Sequence, residues 1–325
     1  MRLSQAVAIV LLMSAGLAAG QAVNGSPDDH IALAKTAAGD QYQNLFNFLC
    51  AAPAPRGGGP PGTRGGAPPA AGRGPATPDR STWHADPAKV FDNLYFVGQS
   101  EYSAWALTTS DGLILLDTLF DYSVEDEVAG GLQTLGLDPA TIRYAVVTHP
   151  HPDHHGGARF LQERYRTRVL MSAADWDVLD RLTGTKPVRD MVATDGGTLT
   201  LGDSTITLYV TPGHTPGTLS MVFRVRDNGT THTVAYWGGN GLNADRESLQ
   251  QYVQSARRFS DIARQAGADV MMSNHTDWDG SKAYLPRLRS RPPGSANPYV
   301  VGAQGIARYL DVARECATAR LLRLN

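Results

Sequence analysis

The chain has 325 residues, of which 42% are hydrophobic and 18% charged, and its formal net charge at pH 7 is -2. These values are ordinary for a globular protein with a sizeable core, and the length leaves room for one large domain or two small ones. The low net charge and the lack of a dense lysine and arginine run argue against nucleic acid as a partner, because phosphate binding requires clustered positive charge.

The first 22 residues have the pattern of a secretory signal peptide. Arg2 supplies a positive charge, residues 6–17 form an apolar stretch, and residues 18–22 are mostly the small residues that suit peptidase cleavage. A membrane anchor is the rival interpretation, but the apolar run is shorter than the ~20 residues that a spanning helix needs. The sequence therefore predicts a periplasmic or secreted protein that is free of the membrane after cleavage.

Residues 23–50 are predicted to form a helical segment, because apolar side chains recur there at spacings of three and four residues. These side chains are Ile31, Ala34, Ala38, Tyr42, Leu45, Phe46 and Leu49. Residues 51–79 are predicted to be a linker, since proline and glycine at that density cannot bury enough apolar surface to fold. Residues 80–325 then form the predicted main domain.

Cys50 and Cys316 are the two cysteines of the chain. In an exported protein such a pair predicts a disulfide, because the compartment is oxidising. The alternative is two buried thiols that act as small apolar side chains.

The main domain contains short β-rich runs and longer helical stretches. Strands are predicted at 90–97, 104–109, 113–117, 144–147, 169–171, 205–210, 219–225, 233–237 and 270–273. Helices are predicted at 123–135, 156–165, 173–182, 246–266 and 303–322. The strands come first as consecutive hairpins and then alternate with helices. This order indicates a layered α/β fold in which sheets pack face to face with helices outside.

The segment Thr-His-Pro-His-Pro-Asp-His-His-Gly-Gly, residues 148–157, carries most of the chemistry. An apolar strand runs into His149 and His151, and alternate residues at a strand end can point the same way. Asp153 and His154 follow on a turn and can face a second position nearby. Imidazole nitrogens and a carboxylate are the ligands that Zn²⁺ prefers, so these four residues are predicted metal ligands.

Two further histidines complete the predicted set. His214 lies in a turn, Pro-Gly-His-Thr-Pro-Gly, whose prolines and glycines restrict the backbone. His275 follows a predicted strand and precedes a polar loop. We interpret His30, His84 and His232 as solvated or structural, since they lack a strand-end context. His155 adjoins the cluster, and we expect it to begin the following helix rather than to bind metal.

These motifs resemble the metallo-β-lactamase superfamily, whose signature is H-x-H-x-D-H. The resemblance extends from about residue 90 to His275 and implies an αββα sandwich with an N-terminal helix and Pro/Gly-rich linker outside it. It also implies two zinc ions per chain, the first held by His149, His151 and His214 and the second by Asp153, His154 and His275. Asp117 matches a position beside these ligands, with a strand-ending turn residue as the alternative interpretation.

Within the superfamily, the chain is most similar to the third subclass of metallo-β-lactamases. Glyoxalase-like and lactonase-like members place a metal-bridging aspartate after a glycine near the end of a late strand, where this chain has Gly238, Gly239 and Asn240. The lack of a carboxylate there agrees with the lactamase subclass. The chain departs from that subclass by lacking the serines that usually follow and help to bind substrate, a role for which Asn240 or the backbone near Gly239 is a candidate.

The resemblance implies a zinc hydrolase that opens a cyclic amide of a small-molecule substrate by attack of a metal-bound hydroxide. Asp153 is the predicted catalytic residue, because it would orient the nucleophile as well as bind metal. A lactone or ester hydrolase with the same chemistry is the alternative. A zinc-binding relative without turnover is a third interpretation, disfavoured by the complete set of six ligands.

Overall fold

The computed structural model describes residues 25–50 and 77–324 of the chain. The predicted signal peptide, 1–22, and all but the last three residues of the predicted linker, 51–79, lie outside the described residues. Within the described part, two β-sheets stack with helices on both outer faces.

The first sheet has seven strands in the order β1-β2-β3-β4-β5-β6-β7. They are β1 (Ala88–Phe91), β2 (Leu94–Phe96), β3 (Trp105–Thr109), β4 (Gly112–Leu116), β5 (Ile142–Val146), β6 (Arg168–Ser172) and β7 (Met191–Ala193). Strands β1 to β4 are antiparallel neighbours, whereas β4 to β7 run parallel.

The second sheet has five strands in the order β12-β11-β10-β9-β8. They are β8 (Thr198–Leu201), β9 (Ser204–Val210), β10 (Leu219–Asp227), β11 (Thr230–Trp237) and β12 (Val270–Ser273). Its pairs are antiparallel except for β11 and β12, which run parallel.

The α-helices of the described residues are α1 (Pro27–Ala38), α2 (Gln43–Leu49), α3 (Gly130–Thr134), α4 (Pro152–His155), α5 (Ala158–Tyr165), α6 (Ala173–Arg181), α7 (Arg246–Gln265), α8 (Ser281–Arg289) and α9 (Gly302–Leu322). A π-helical turn, Val124–Ala129, precedes α3. The longer helices follow the apolar spacing of the sequence. In α7, for example, Leu249, Tyr252, Ala256 and Phe259 are buried on one face at three- and four-residue intervals.

Three apolar clusters hold the layers together. The central one lies between the sheets and includes Phe96 and Trp105 from the first sheet and Phe223 and Met272 from the second. A second cluster joins the outer face of the second sheet to α1, α2, α7 and α9, and a third joins the first sheet to α5, α6 and the π-helical turn. This arrangement is the predicted αββα sandwich, with the N-terminal helices packed on its outer layer.

The structure corrects several predicted elements. The N-terminal segment is two helices rather than one, because Gly39 ends α1 with a φ of 48° and α2 begins only at Gln43. Residues 90–97 form a hairpin of β1 and β2 rather than one strand. Strands β7 and β8 and helices α4 and α8 were not predicted from the sequence. The strands have only three or four residues, and α8 contains Pro286, which normally signals a helix end.

Cys50 and Cys316 form a disulfide, as predicted, with a Cα–Cα distance of 4.8 Å. The bond ties the end of α2 to α9 across a separation of 266 residues. No helix within the described residues is long and apolar enough to cross a bilayer.

Candidate metal centre

The carboxyl end of β5 leads directly into the histidine-rich segment. β5 lies between β4 and β6, so its end opens at the edge of a parallel part of the sheet. His149 lies three residues beyond β5 and is buried, whereas His151 precedes the short helix α4 and is exposed. α4 begins at Pro152 and carries Asp153 and His154. The loop after β5 and the short helix α4 therefore both carry potential metal ligands.

His214 lies in the turn between β9 and β10, which tertiary contacts hold rigidly. Gly213 has a φ of 132°, and a Cβ there would lie 2.5 Å from the Cα of Tyr252, so only glycine fits. The buried carboxylate of Asp175 accepts hydrogen bonds from Thr215 Oγ1 at 2.7 Å and Gly217 N at 2.8 Å. Burial raises the pKa of Asp175 to about 6. Asp175 therefore anchors the backbone on the C-terminal side of His214.

The structure brings all six predicted ligands together in two groups. One contains His149, His151 and His214, the other Asp153, His154 and His275, and within each group the potential ligand atoms lie within 4.8 Å of one another. The rings of His149 and His154, one from each group, have centroids 4.2 Å apart. The two groups are therefore adjacent and can act on one substrate.

The first group has the arrangement of a cation site. His149 Nδ1 donates a hydrogen bond to Gly238 O at 3.0 Å, and His214 Nδ1 donates to Gly241 O at 3.0 Å. In a neutral imidazole the other nitrogen then carries a lone pair. His214 Nε2 nevertheless lies 3.1 Å from His149 Nε2 and 3.2 Å from His151 Nδ1. A bound cation accounts for such convergence of lone pairs, and three imidazoles suit zinc.

The ionisation of these imidazoles agrees with a ligand role. Burial lowers the pKa of His214 to about 3 and holds the pKa of His149 well below its usual value. Although His151 is exposed as a residue, desolvation of its ring within the cluster also lowers its pKa. All three rings are therefore neutral at physiological pH, which is the form that binds a metal.

The second group places a carboxylate between two imidazoles. Asp153 Oδ2 lies 2.9 Å from His154 Nε2 and 3.7 Å from His275 Nε2. Burial raises the pKa of Asp153. The neighbouring imidazoles, chiefly that of His154, lower it by more than burial raises it, so the pKa lies below its usual range. Burial lowers the pKa of His154, yet the carboxylates of Asp153 and Asp117 outweigh it and raise the pKa to about 10. The group thus favours a net positive occupant, whether a proton or a cation.

Asp117 contacts the second group through a hydrogen bond with His154. It follows β4, is fully buried, and has a φ of 58°, a left-handed conformation that is uncommon outside glycine. Its carboxylate accepts hydrogen bonds from His154 Nδ1 and from the main chain and hydroxyl of Thr148. These contacts agree with the predicted position of Asp117 beside the ligands.

The Gly238-Gly239-Asn240 segment contributes no carboxylate and no free side chain to the centre. Asn240 is 2% exposed, accepts a hydrogen bond from Tyr309 Oη and donates to Asn274 Oδ1. Its side chain therefore faces the core, with its amide engaged by Tyr309 and Asn274. A Cβ at Gly239 would lie 2.9 Å from His214 Cβ, which leaves little room for any side chain there.

Aromatic side chains flank the second group. Tyr102 packs against His275 with ring centroids 5.2 Å apart and against Phe120 at 5.1 Å. Phe120 in turn stacks on Tyr122 at 5.0 Å. Burial raises the pKa of Tyr102 to about 12, with the nearby carboxylate of Asp153 as the next cause, so its hydroxyl stays protonated. The wall beside the centre is therefore apolar apart from neutral hydroxyls.

The remaining histidines lie outside the two groups. His30, His84 and His232 each pair with a carboxylate, of Glu315, Glu127 and Asp269 respectively. His155 is buried at the end of α4, and burial lowers its pKa to about 4. His155 thus closes α4 instead of beginning the next helix.

The sequence reading missed three residues that position the centre. They are Asp175, Asn243, whose Nδ2 donates to the carbonyls of Gly213 and His214, and Asn274, whose Nδ2 donates to Gly238 O. Asn274 directly precedes His275, so its position in the sequence gives a weak indication of its role. Asp175 and Asn243 are distant in sequence from His214, and nothing in the sequence indicates their contact with the turn that carries it.

Comparison with known proteins gives consistent results. A family model for the metallo-β-lactamase superfamily matches residues 97–233. The chain is 27% identical over 180 residues to the N-acyl homoserine lactonase AttM of Azorhizobium caulinodans, covering 49% of this chain and 68% of the lactonase. It is 30% identical over 97 residues to a hydroxyacylglutathione hydrolase of Acidiphilium cryptum, covering 30% of this chain and 37% of that protein.

Among solved structures, the chain is similar to BJP-1, a subclass B3 metallo-β-lactamase of Bradyrhizobium japonicum. The TM-score is 0.60 at 25% identity, and the match covers 71% of this chain and 91% of that chain. The similarity thus extends over nearly the whole of BJP-1, whereas it covers only a part of the hydroxyacylglutathione hydrolase.

Proposed function

We propose that the chain is a member of the metallo-β-lactamase superfamily and an exported hydrolase that opens a cyclic amide, β-lactam-like, with two zinc ions at one centre. The observation that carries the proposal is the pairing of a three-histidine group with an adjacent Asp-His-His group. The similarity to BJP-1 over 91% of its length supports an amide rather than another substrate class. The disulfide is compatible with export.

The donor set fits zinc. His149, His151 and His214 would hold the first ion, and Asp153, His154 and His275 the second. When bound, zinc supplies Lewis acidity that lowers the pKa of water and polarises a carbonyl group. The remaining chemistry rests on the side chains of the chain itself.

Asp153 is the residue that we assign to orient the nucleophile. The closest approaches of His154 Nε2 and His275 Nε2 are both to Oδ2, which leaves Oδ1 to accept a hydrogen bond from the attacking water. The lowered pKa of Asp153 keeps it ionised at neutral pH, as an acceptor must be. Attack at the carbonyl carbon then breaks the ring C–N bond, and the nitrogen takes up a proton. The aromatic wall of Tyr102 and Phe120 would shield the reacting groups from bulk solvent.

A lactone is the second candidate substrate. Its support is the similarity to lactonase AttM, which covers 68% of that protein. The inward orientation of Asn240 adds to it, because the centre lacks the polar side chain that a β-lactam carboxylate would be expected to meet after β11. Opening a lactone requires the same attack, with a C–O bond broken instead of C–N.

Hydrolysis of a substrate panel by the purified, zinc-loaded protein tests the proposal. The panel contains a chromogenic cephalosporin, an N-acyl homoserine lactone and a glutathione thioester, and the control is Asp153→Asn at equal concentration. Cephalosporin turnover that is lost in the variant would support the proposal. Turnover of the lactone alone would favour the second candidate, and no turnover of any substrate would contradict both.

A further inference from the structure

The five imidazoles of the two groups are not all held in the same way. His149, His154 and His214 each donate a hydrogen bond from the nitrogen that faces away from their group. Such bonds fix the orientation of a ligand ring and raise its affinity for metal. The ring of His275 instead packs against aromatic rings, with Tyr102 at 5.2 Å and Trp278 at 3.9 Å between centroids.

Trp278 lies between His275 and a residue of the N-terminal helices. Its ring is inclined by 34° to the imidazole of His275. It also stacks on Phe48, with centroids 4.3 Å apart and planes inclined by 21°. Phe48 is 42% exposed, so one side of its ring faces solvent while the other contacts Trp278. The three rings form a continuous stack from α2 to the second group.

Phe48 is itself fixed in place by strong constraints on α2. Leu45 and Leu49, on the same helix, are fully buried against α9 and its neighbours. Two residues after Phe48, Cys50 is bonded to Cys316 of α9. On the preceding turn, Gln41 Nε2 donates a hydrogen bond to Tyr284 Oη at 3.0 Å. The end of α2 therefore has little freedom to move away from Trp278.

We propose that Trp278, backed by Phe48, is a positioning residue for His275, so that the N-terminal helices set the metal affinity of the second group. The inference rests on the proposed function in that this group holds zinc. A ring without a hydrogen bond to orient it depends on packing, and removing one wall allows the imidazole to rotate away from Asp153 and His154. The effect should fall on the second zinc, because the metal-binding ring that Trp278 contacts is that of His275, a member of the second group.

The test measures zinc binding in competition with a chelator of known affinity, using zinc alone as the probe. The variants are Trp278→Ala, Phe48→Ala and the conservative Trp278→Phe. Leu33→Ala is the matched control, because Leu33 is an apolar residue of the same N-terminal helices and is 54% exposed. Circular dichroism of each variant checks the fold, and Phe48→Ala, at an exposed site, is the variant most certain to fold.

We expect the dissociation constant of the second zinc to rise by at least about 10-fold in Trp278→Ala and by a smaller factor in Phe48→Ala. The first zinc should bind as in the wild type, Trp278→Phe should restore most of the affinity, and Leu33→Ala should change nothing. Unchanged affinity for the second zinc in both alanine variants would overturn the inference, as would an equal loss for both zinc ions. The test measures zinc affinity and not turnover, so it can be interpreted even if the proposed substrate is not hydrolysed.

Discussion

His154 Nδ1 donates a hydrogen bond of 2.9 Å to Asp117 Oδ2, so a buried carboxylate outside the ligand set fixes the ring of a ligand. Asp117→Asn should weaken the second zinc by about 10- to 100-fold, because an amide cannot accept bonds from both His154 and Thr148 with two oxygens. Zinc titration against a chelator measures this loss. Asp111→Asn, at an exposed turn, is the control, and equal affinities in both variants would contradict the role of Asp117.

Asp153→Asn should remove hydrolysis while leaving the fold intact. The substitution keeps the size of the side chain but removes the charge that faces His154 and His275. We expect near-native circular dichroism, about one zinc per chain and a rate lowered by at least ~10²-fold. Metal analysis and turnover of the responsive substrate provide the measurement. A variant with full activity would show that the two-metal assignment is wrong.

Gly241→Ala should disturb the first group selectively. A Cβ at this position would lie 2.8 Å from both Cε1 and Nδ1 of His214. The same Nδ1 donates a hydrogen bond to the carbonyl of Gly241. The imidazole must shift, so we expect the first zinc to bind at least about 10-fold more weakly. Gly130→Ala is the matched control, because the nearest atom there is 3.6 Å away. Equal zinc affinity in the two variants would argue against the predicted clash.

Replacing both cysteines by serine should lower the free energy of unfolding. The disulfide closes a loop of 266 residues, and loop-closure entropy gives it a stabilising effect of about 5 kcal/mol. Urea denaturation of the wild type and of the Cys50→Ser, Cys316→Ser protein measures the difference. The wild type under reducing conditions should unfold like the double variant. A difference of less than about 1 kcal/mol would mean that the packing of α2 on α9 is sufficient without the bond.

Asp279 should make the stability of the metal-free protein depend on pH. Burial raises the pKa of Asp279 from 3.8 to about 7, so the fold favours the protonated carboxyl. The contribution of this group to stability is therefore complete below pH 4 and is lost as the pH rises towards about 7. Asp279→Asn should make the free energy of unfolding less dependent on pH over this range.

Urea denaturation at several pH values, with excess chelator to remove metal effects, measures the pH dependence of wild type and variant. The informative quantity is the difference between the two curves, because histidine titration is common to both. Parallel curves from pH 4 to pH 7 would contradict the raised pKa of Asp279.

The sequence by itself was enough to predict the αββα class and the six residues that the structure brings together at the centre. His149, His151, Asp153 and His154 are close in sequence, so strand-end geometry alone brings them near one another. His214 and His275 were identifiable because each follows a β-strand at a conspicuous turn. The disulfide was predictable since the chain has just two cysteines.

Only the tertiary structure decided how these residues are held. Asn240 faces Tyr309 and Asn274 instead of a substrate, Asp175 anchors the turn that follows His214, and Phe48 reaches Trp278 from a separate helix. Each of these contacts joins residues far apart in the chain. Local periodicity reports which face of an element is buried, but it does not report which distant element packs there, so the supports of the centre depend on the assembled layers.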